Sequence, residues 1–130
     1  MSKFHETIGF FVLAVFTVGW VWGVGALILR RDPGERFWTW LTVAQVVAGV
    51  QAVVGIVLLL MGFRPETSLH LVYGFGPLVI LGVAHLMSRE VSRGEVGDSR
   101  WTQPWVLFTA AEFICFGLAL RALMTGLGVG

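Results

Sequence analysis

The side chains able to do chemistry are few, and they sit in surroundings that make them conspicuous. His5, His70, His85, Glu112, Gln45 and Gln51 all lie within or beside long apolar runs. Placing an ionisable group in such a run costs several kcal/mol unless it is paired, wet or bound to something. His70, Tyr73, Gly74 and Pro77 follow the i, i+3, i+4, i+7 spacing that puts residues on one face of a helix. His70 and Gly74 also repeat an earlier pair, His5 and Gly9, in the pattern H-x-x-x-G. Neutral imidazoles bind a haem iron from opposite sides, and a glycine one turn deeper leaves room for a flat ring. The spacing therefore points to His70, with His5 or with a symmetry-related His70 in a dimer, as ligand of a haem b iron or another metal, with Tyr73, Gly74 and Gln51 beside it. Arg121 is placed to meet a haem propionate, or else Glu6 or Glu66. The competing reading is of two interfacial histidines wetted by headgroups, with His5 frayed near the start of the chain.

His85 cannot join that site. It faces roughly the same way as His70 but lies about 22 Å further along a helix axis. Gln45 and Glu112 are expected at a similar depth near His85. These three form a second candidate site, for protons or a quinone headgroup. The structural alternative is a hydrogen bond from Glu112 to His85 or Gln45, and Gln51 could equally staple its helix to a neighbour.

The elements that must position these groups are membrane-length. The chain is 56% apolar and 13% charged, with a mean hydropathy of +0.81, whereas soluble domains carry about 25% charge. A net charge of +1 gives no nucleic-acid footprint. Four runs reach the roughly 20 apolar residues that a bilayer requires: 8–29, 37–63, 69–87 and 105–127. The first is too long for a signal-peptide core and lacks a small-residue cleavage site after it, so it is read as a retained helix. The turn at 30–36 contains Pro33 and Gly34, and the turn at 64–68 offers Thr67 or Ser68 as an N-cap. A polar loop is expected over 88–103, with Pro104 opening the fourth helix. Cys115 has no second cysteine to pair with.

Arg30, Arg31, Arg36, Arg89, Arg93 and Arg100 fall in the loops that share one side, which makes that side cytoplasmic and leaves both termini outside. Trp38, Trp40, Trp101 and Trp105 are expected at the cytoplasmic interface. Gly19 and Gly23, and Ala44, Ala48 and Ala52, form small-residue stripes suited to close helix packing. A kink is expected near Gly74, Gly76 and Pro77.

Trp38-x-x-x-Thr42-x-Ala44-Gln45 also echoes Trp105-x-x-x-Thr109-x-Ala111-Glu112. With the H-x-x-x-G echo, this suggests two antiparallel hairpins related by a pseudo-twofold axis along the membrane normal. The fold class read from the sequence is thus all-α, an integral membrane four-helix bundle spanning 1–130.

Redox-thiol, zinc-protease, nucleotide-loop and serine-nucleophile motifs are missing. In length and layout the chain is similar to small fluoride channels and small multidrug transporters. It lacks the signature segments of the former and the mid-helix glutamate of the latter's first helix. Histidines on bundle helices resemble the architecture of small b-type membrane cytochromes, which implies haem binding and electron transfer, with a link to quinone or protons. Two other functions stay open: a structural or assembly subunit of a larger membrane complex, and a proton or ion transporter using Glu112. Whether the protein is an enzyme is also open. The expected setting is a bacterial-type inner membrane, crossed several times, with the lipid bilayer and a homo-oligomer or larger complex as partners.

Overall fold

In lipid every backbone N–H and C=O must find a partner inside the chain, so a long apolar segment has little choice but to become a helix. The computed structural model describes residues 3–65, 67–92 and 103–127. It shows α1 (Lys3–Ile28), α2 (Glu35–Leu60), α3 (Leu69–Ser92) and α4 (Pro104–Gly126). All four are long and apolar enough to cross a membrane, and no strand occurs among the described residues. The protein is an all-α four-helix bundle of multi-pass membrane type.

The helix ends differ from the apolar runs for reasons of backbone geometry. α1 starts five residues before its apolar run, so His5 lies in the helix rather than in a frayed end. α2 stops at Leu60 because Gly62 adopts φ 95°. The amides of Gly62 and Phe63 then donate to the carbonyls of Leu59 and Leu58, the paired bonds of a Schellman end. α1 ends the same way, with Arg30 at φ 55° in the glycine's place and Arg31 N–H reaching Ala26 O. α3 runs unbroken through Gly74, Gly76 and Pro77 and continues to Ser92, five residues into the expected polar loop. Its start is capped by Thr67, whose hydroxyl accepts from Leu69 N–H.

α4 is the central element, packed extensively on both α3 and α1. α1 also packs on α2, and the α2–α3 seam is much slighter than these three. The α1–α4 contact is close because α1 presents glycines to it. The carboxyl group of Glu112 occupies the place where a Cβ on Gly19 would project, and the Thr109 side chain does so at Gly23. The small-residue stripes therefore serve packing within the bundle, and Ala44 and Ala48 are likewise buried. Near the arginine-bearing 1–2 turn, edge-to-face rings cross all four helices: Trp22–Phe37 (6.2 Å), Phe37–Trp38 (5.5 Å), Trp38–Phe108 (5.5 Å) and Phe108–His85 (4.9 Å). The tryptophans read from sequence as an interfacial belt belong partly to this interior. Trp105 is buried, and Trp40 turns inward to donate to Val15 O at 2.8 Å. Burying a large ring and pairing its N–H within the bundle turns these tryptophans inward at the ends of α2 and α4. Trp101, Arg93, Arg100 and Glu66 lie outside the described residues.

Gly23→Val places a branched side chain against Thr109 and should lower the thermal midpoint in detergent, by about 1–3 kcal/mol of stability. Gly25→Ala meets nothing within 4 Å and should leave the midpoint unchanged or slightly raised. Equal effects from the two substitutions would contradict the close α1–α4 contact.

Candidate functional site

His5 and His70 meet. His5 lies in the first turn of α1 and His70 in the first turn of α3, and their ring centres are 6.0 Å apart with planes inclined at 74°. His5 is buried at 8% exposure and His70 is half-buried. Both line a cavity of about 180 Å³, together with Gln51, Gly55, Tyr73 and Gly74.

Each imidazole is set by the second helix of its own hairpin. His70 Nδ1 lies 2.8 Å from Ala122 O and 3.2 Å from Thr125 Oγ1 on α4. A carbonyl only accepts, so Nδ1 carries the hydrogen, and in the neutral ring Nε2 keeps its lone pair. Metal-binding histidines are commonly oriented in this way. Thr125 is in turn fixed by its hydroxyl donating to Arg121 O at 2.9 Å. On the other side, Cε1 of His5 sits over Gly55 of α2, where an added Cβ would come within 3.4 Å. Gln51 Nε2 donates to His5 O at 2.9 Å and ties α2 to α1. Gln51 therefore acts as the staple. These supports repeat: His5 faces Gly55 as His70 faces Ala122, and the helix-start echo His5/His70 is matched by a similar offset between Gly55 and Ala122. The sequence pattern H-x-x-x-G exposed the two histidines that meet but not Gly55, Ala122 or Thr125, which act through backbone or small size and leave no chemical signature.

Arg121 does not reach Glu6. Its guanidinium lies over the Tyr73 ring, 5.6 Å from the centroid, with Nη1 at 4.0 Å from Met124 Sδ. A stacked cation of this kind keeps its charge against a π face rather than against a carboxylate. Tyr73 lies between Arg121 and the cavity.

The second candidate site separates into two. His85 Nε2 donates to Gln45 Oε1 at 3.0 Å, joining α3 to α2 on an exposed face. Glu112 joins neither. It is fully buried between α4 and α1, and both carboxyl oxygens lack a hydrogen-bond partner among the described residues. The cause is rotational: Gln45 looks into the α2–α3 seam while Glu112 looks at Gly19. Below Glu112 on the same helix, the thiol of buried Cys115 approaches Pro77 O at 3.6 Å.

The donor set is narrow. Among the described residues, no three His, Cys, Asp or Glu side chains gather around a common point. A metal between His5 and His70 would receive two protein ligands only. Two imidazole nitrogens about 2.0 Å from a metal on opposite sides are about 4 Å apart, and ring centres about 1 Å further back give about 6 Å. The ring centres lie at a comparable 6.0 Å, with Cε1 and Nε2 of His5 turned toward Gly55.

Glu112→Leu removes a buried carboxyl that has no partner and keeps the volume. It should stabilise the bundle by about 1–3 kcal/mol in a denaturation series. A loss of stability of that size would mean that the carboxyl is held by a group outside the described residues.

No protein-family model, curated protein or solved structure matches the chain, so function is argued from the two imidazoles and their surroundings.

Proposed function

We propose that this protein is a small membrane electron-transfer protein that holds a b-type haem between His5 and His70. The observation behind the reading is the pair of facing imidazoles, 6.0 Å apart, with the hydrogen bond to Ala122 O leaving Nε2 of His70 as its free lone-pair nitrogen. Haem suits a site with two protein donors because the porphyrin supplies the remaining four, and when bound it supplies one-electron chemistry. The Ala122 carbonyl fixes the tautomer and the orientation of the His70 ring. Gln51 holds α1 against α2 so that His5 stays opposite. Gly55 and Gly74 keep the walls low where a flat ring must lie. The cavity is lined from all four helices and borders the lightly packed α2–α3 seam, the side from which a porphyrin would enter.

Both ligands come from one chain, so this reading requires no second copy. A homo-oligomer or a larger membrane complex would serve as the setting for electron exchange rather than for ligation. The orientation that goes with the reading has Arg30, Arg31, Arg36 and Arg89 at the cytoplasmic face of a bacterial-type cell membrane, with both termini outside. The haem would then lie in the outer half. The exposed His85–Gln45 pair, near the other face, is a polar place from which a quinone headgroup could exchange electrons and protons. Glu112 is not part of that path, since it is hydrogen-bonded to neither residue of the pair. Of the two features behind the assembly-subunit alternative, the lack of a large extramembrane domain stands, while Gly19 and Gly23 pack against α4 inside the bundle.

Purified protein reconstituted with haem should show the Soret and α/β bands of a six-coordinate, two-imidazole haem. His70→Ala should abolish them, and His5→Ala should leave at most a weak, five-coordinate spectrum. A colourless wild-type protein after reconstitution rejects the proposal.

A further inference from the structure

The cavity between the histidines has apolar walls and one charged end. Its charged lining residues are Glu6 and Arg64. Arg64 follows the last turn of α2, and its Nη1 donates to Leu59 O at 2.7 Å and Phe63 O at 3.1 Å. The guanidinium is thereby anchored at the end of the helix. Its Nη2 and Nε make no hydrogen bond among the described residues, and the side chain is exposed at the mouth. A rigid, anchored fork with unused N–H groups is suited to a carboxylate. The sequence pointed to Arg121 for this role, but Arg121 is stacked on Tyr73 and does not line the cavity.

A porphyrin has an apolar body with both carboxylates along one edge, and the cavity has the same division. Resting on the haem reading above, we infer that Arg64 is the carboxylate-recognition residue of the site. The porphyrin would lie with its carboxylate edge toward the α2–α3 turn and its apolar edge toward Pro77 and Ala48. Glu6, which also lines the cavity, carries the carboxylates' own charge and opposes that edge, which leaves Arg64 as the charged lining residue able to pair with it.

The test compares ferric protoporphyrin IX with its dimethyl ester, titrated into the full-length protein in detergent and followed by the Soret band. Wild type should bind the free acid at least about tenfold more tightly than the ester. Arg64→Gln should bring the two to within about twofold by weakening the acid alone, the unchanged ester affinity serving as the folding control. Arg121→Gln should keep the wild-type preference. If Arg64→Gln does not fold, Arg64→Lys is read instead, with a loss of at least about threefold in preference expected because the fork is gone. Equal binding of acid and ester by wild type, or an undiminished preference in the Arg64 variant, overturns the assignment while leaving the haem reading standing. Failure of both porphyrins to give a Soret band with wild type overturns the haem reading itself.

Discussion

The close approach of α1 to α4 is the constraint on which the rest depends. Lipid offers no hydrophobic drive between helices, so they associate through tight packing and the polar contacts that packing permits. Gly19 and Gly23 let α4 lay Glu112 and Thr109 directly on the α1 backbone. α4 also carries Ala122, whose carbonyl orients His70 of α3. One helix thus fixes the distance between α1 and α3, and with it the 6.0 Å between His5 and His70. A bulkier α1 face would part the imidazoles as well as the helices.

Much of this was readable in the residues. Four apolar runs, two short turns and a proline-led fourth helix specify the bundle, because a membrane leaves the backbone few alternatives. The pairing of His5 with His70 was also legible, as a repeated pattern at matching helix starts. The ends were less so. Gly62 lies inside an apolar run yet stops α2, since its positive φ satisfies the last carbonyls. α3 runs past its apolar stretch because polar residues continue a helix readily once it has emerged. Hydropathy counts side chains, whereas helix ends are decided by backbone hydrogen bonds.

The fate of Glu112 was not legible, because depth and helix face are separate quantities. Its depth matched those of Gln45 and His85, but rotation about the bundle separates the seams they occupy. The internal echo describes this better than the depth did. Gln45 of α2 meets His85 of α3, and the corresponding seam is α4 with α1, where Glu112 lies against Gly19 beside Trp20. At the first seam the polar groups found each other. At the second, the Trp20 indole N–H and both Glu112 oxygens are buried without a partner among the described residues. The two halves keep the layout of a repeat and differ in whether its polar layer is closed.

That difference bears on how the two seams divide the work. The α1–α4 seam is dense enough to bury a whole carboxyl group, and such a seam resists opening because packed interiors do not deform gradually. The α2–α3 seam is lightly packed and is bridged by the exposed His85–Gln45 hydrogen bond, which is worth little where lipid headgroups or water compete for it. Under the haem proposal, a flat, apolar ring entering between His5 and His70 would need one seam that yields and one that holds. Were both as dense as α1–α4, the imidazoles would be well placed but closed off from the bilayer. Were both as loose as α2–α3, nothing would keep His5 opposite His70. The unequal packing of the two hairpins sets a dense α1–α4 seam against a lightly packed α2–α3 seam, and the two histidines meet across the bundle that these seams close.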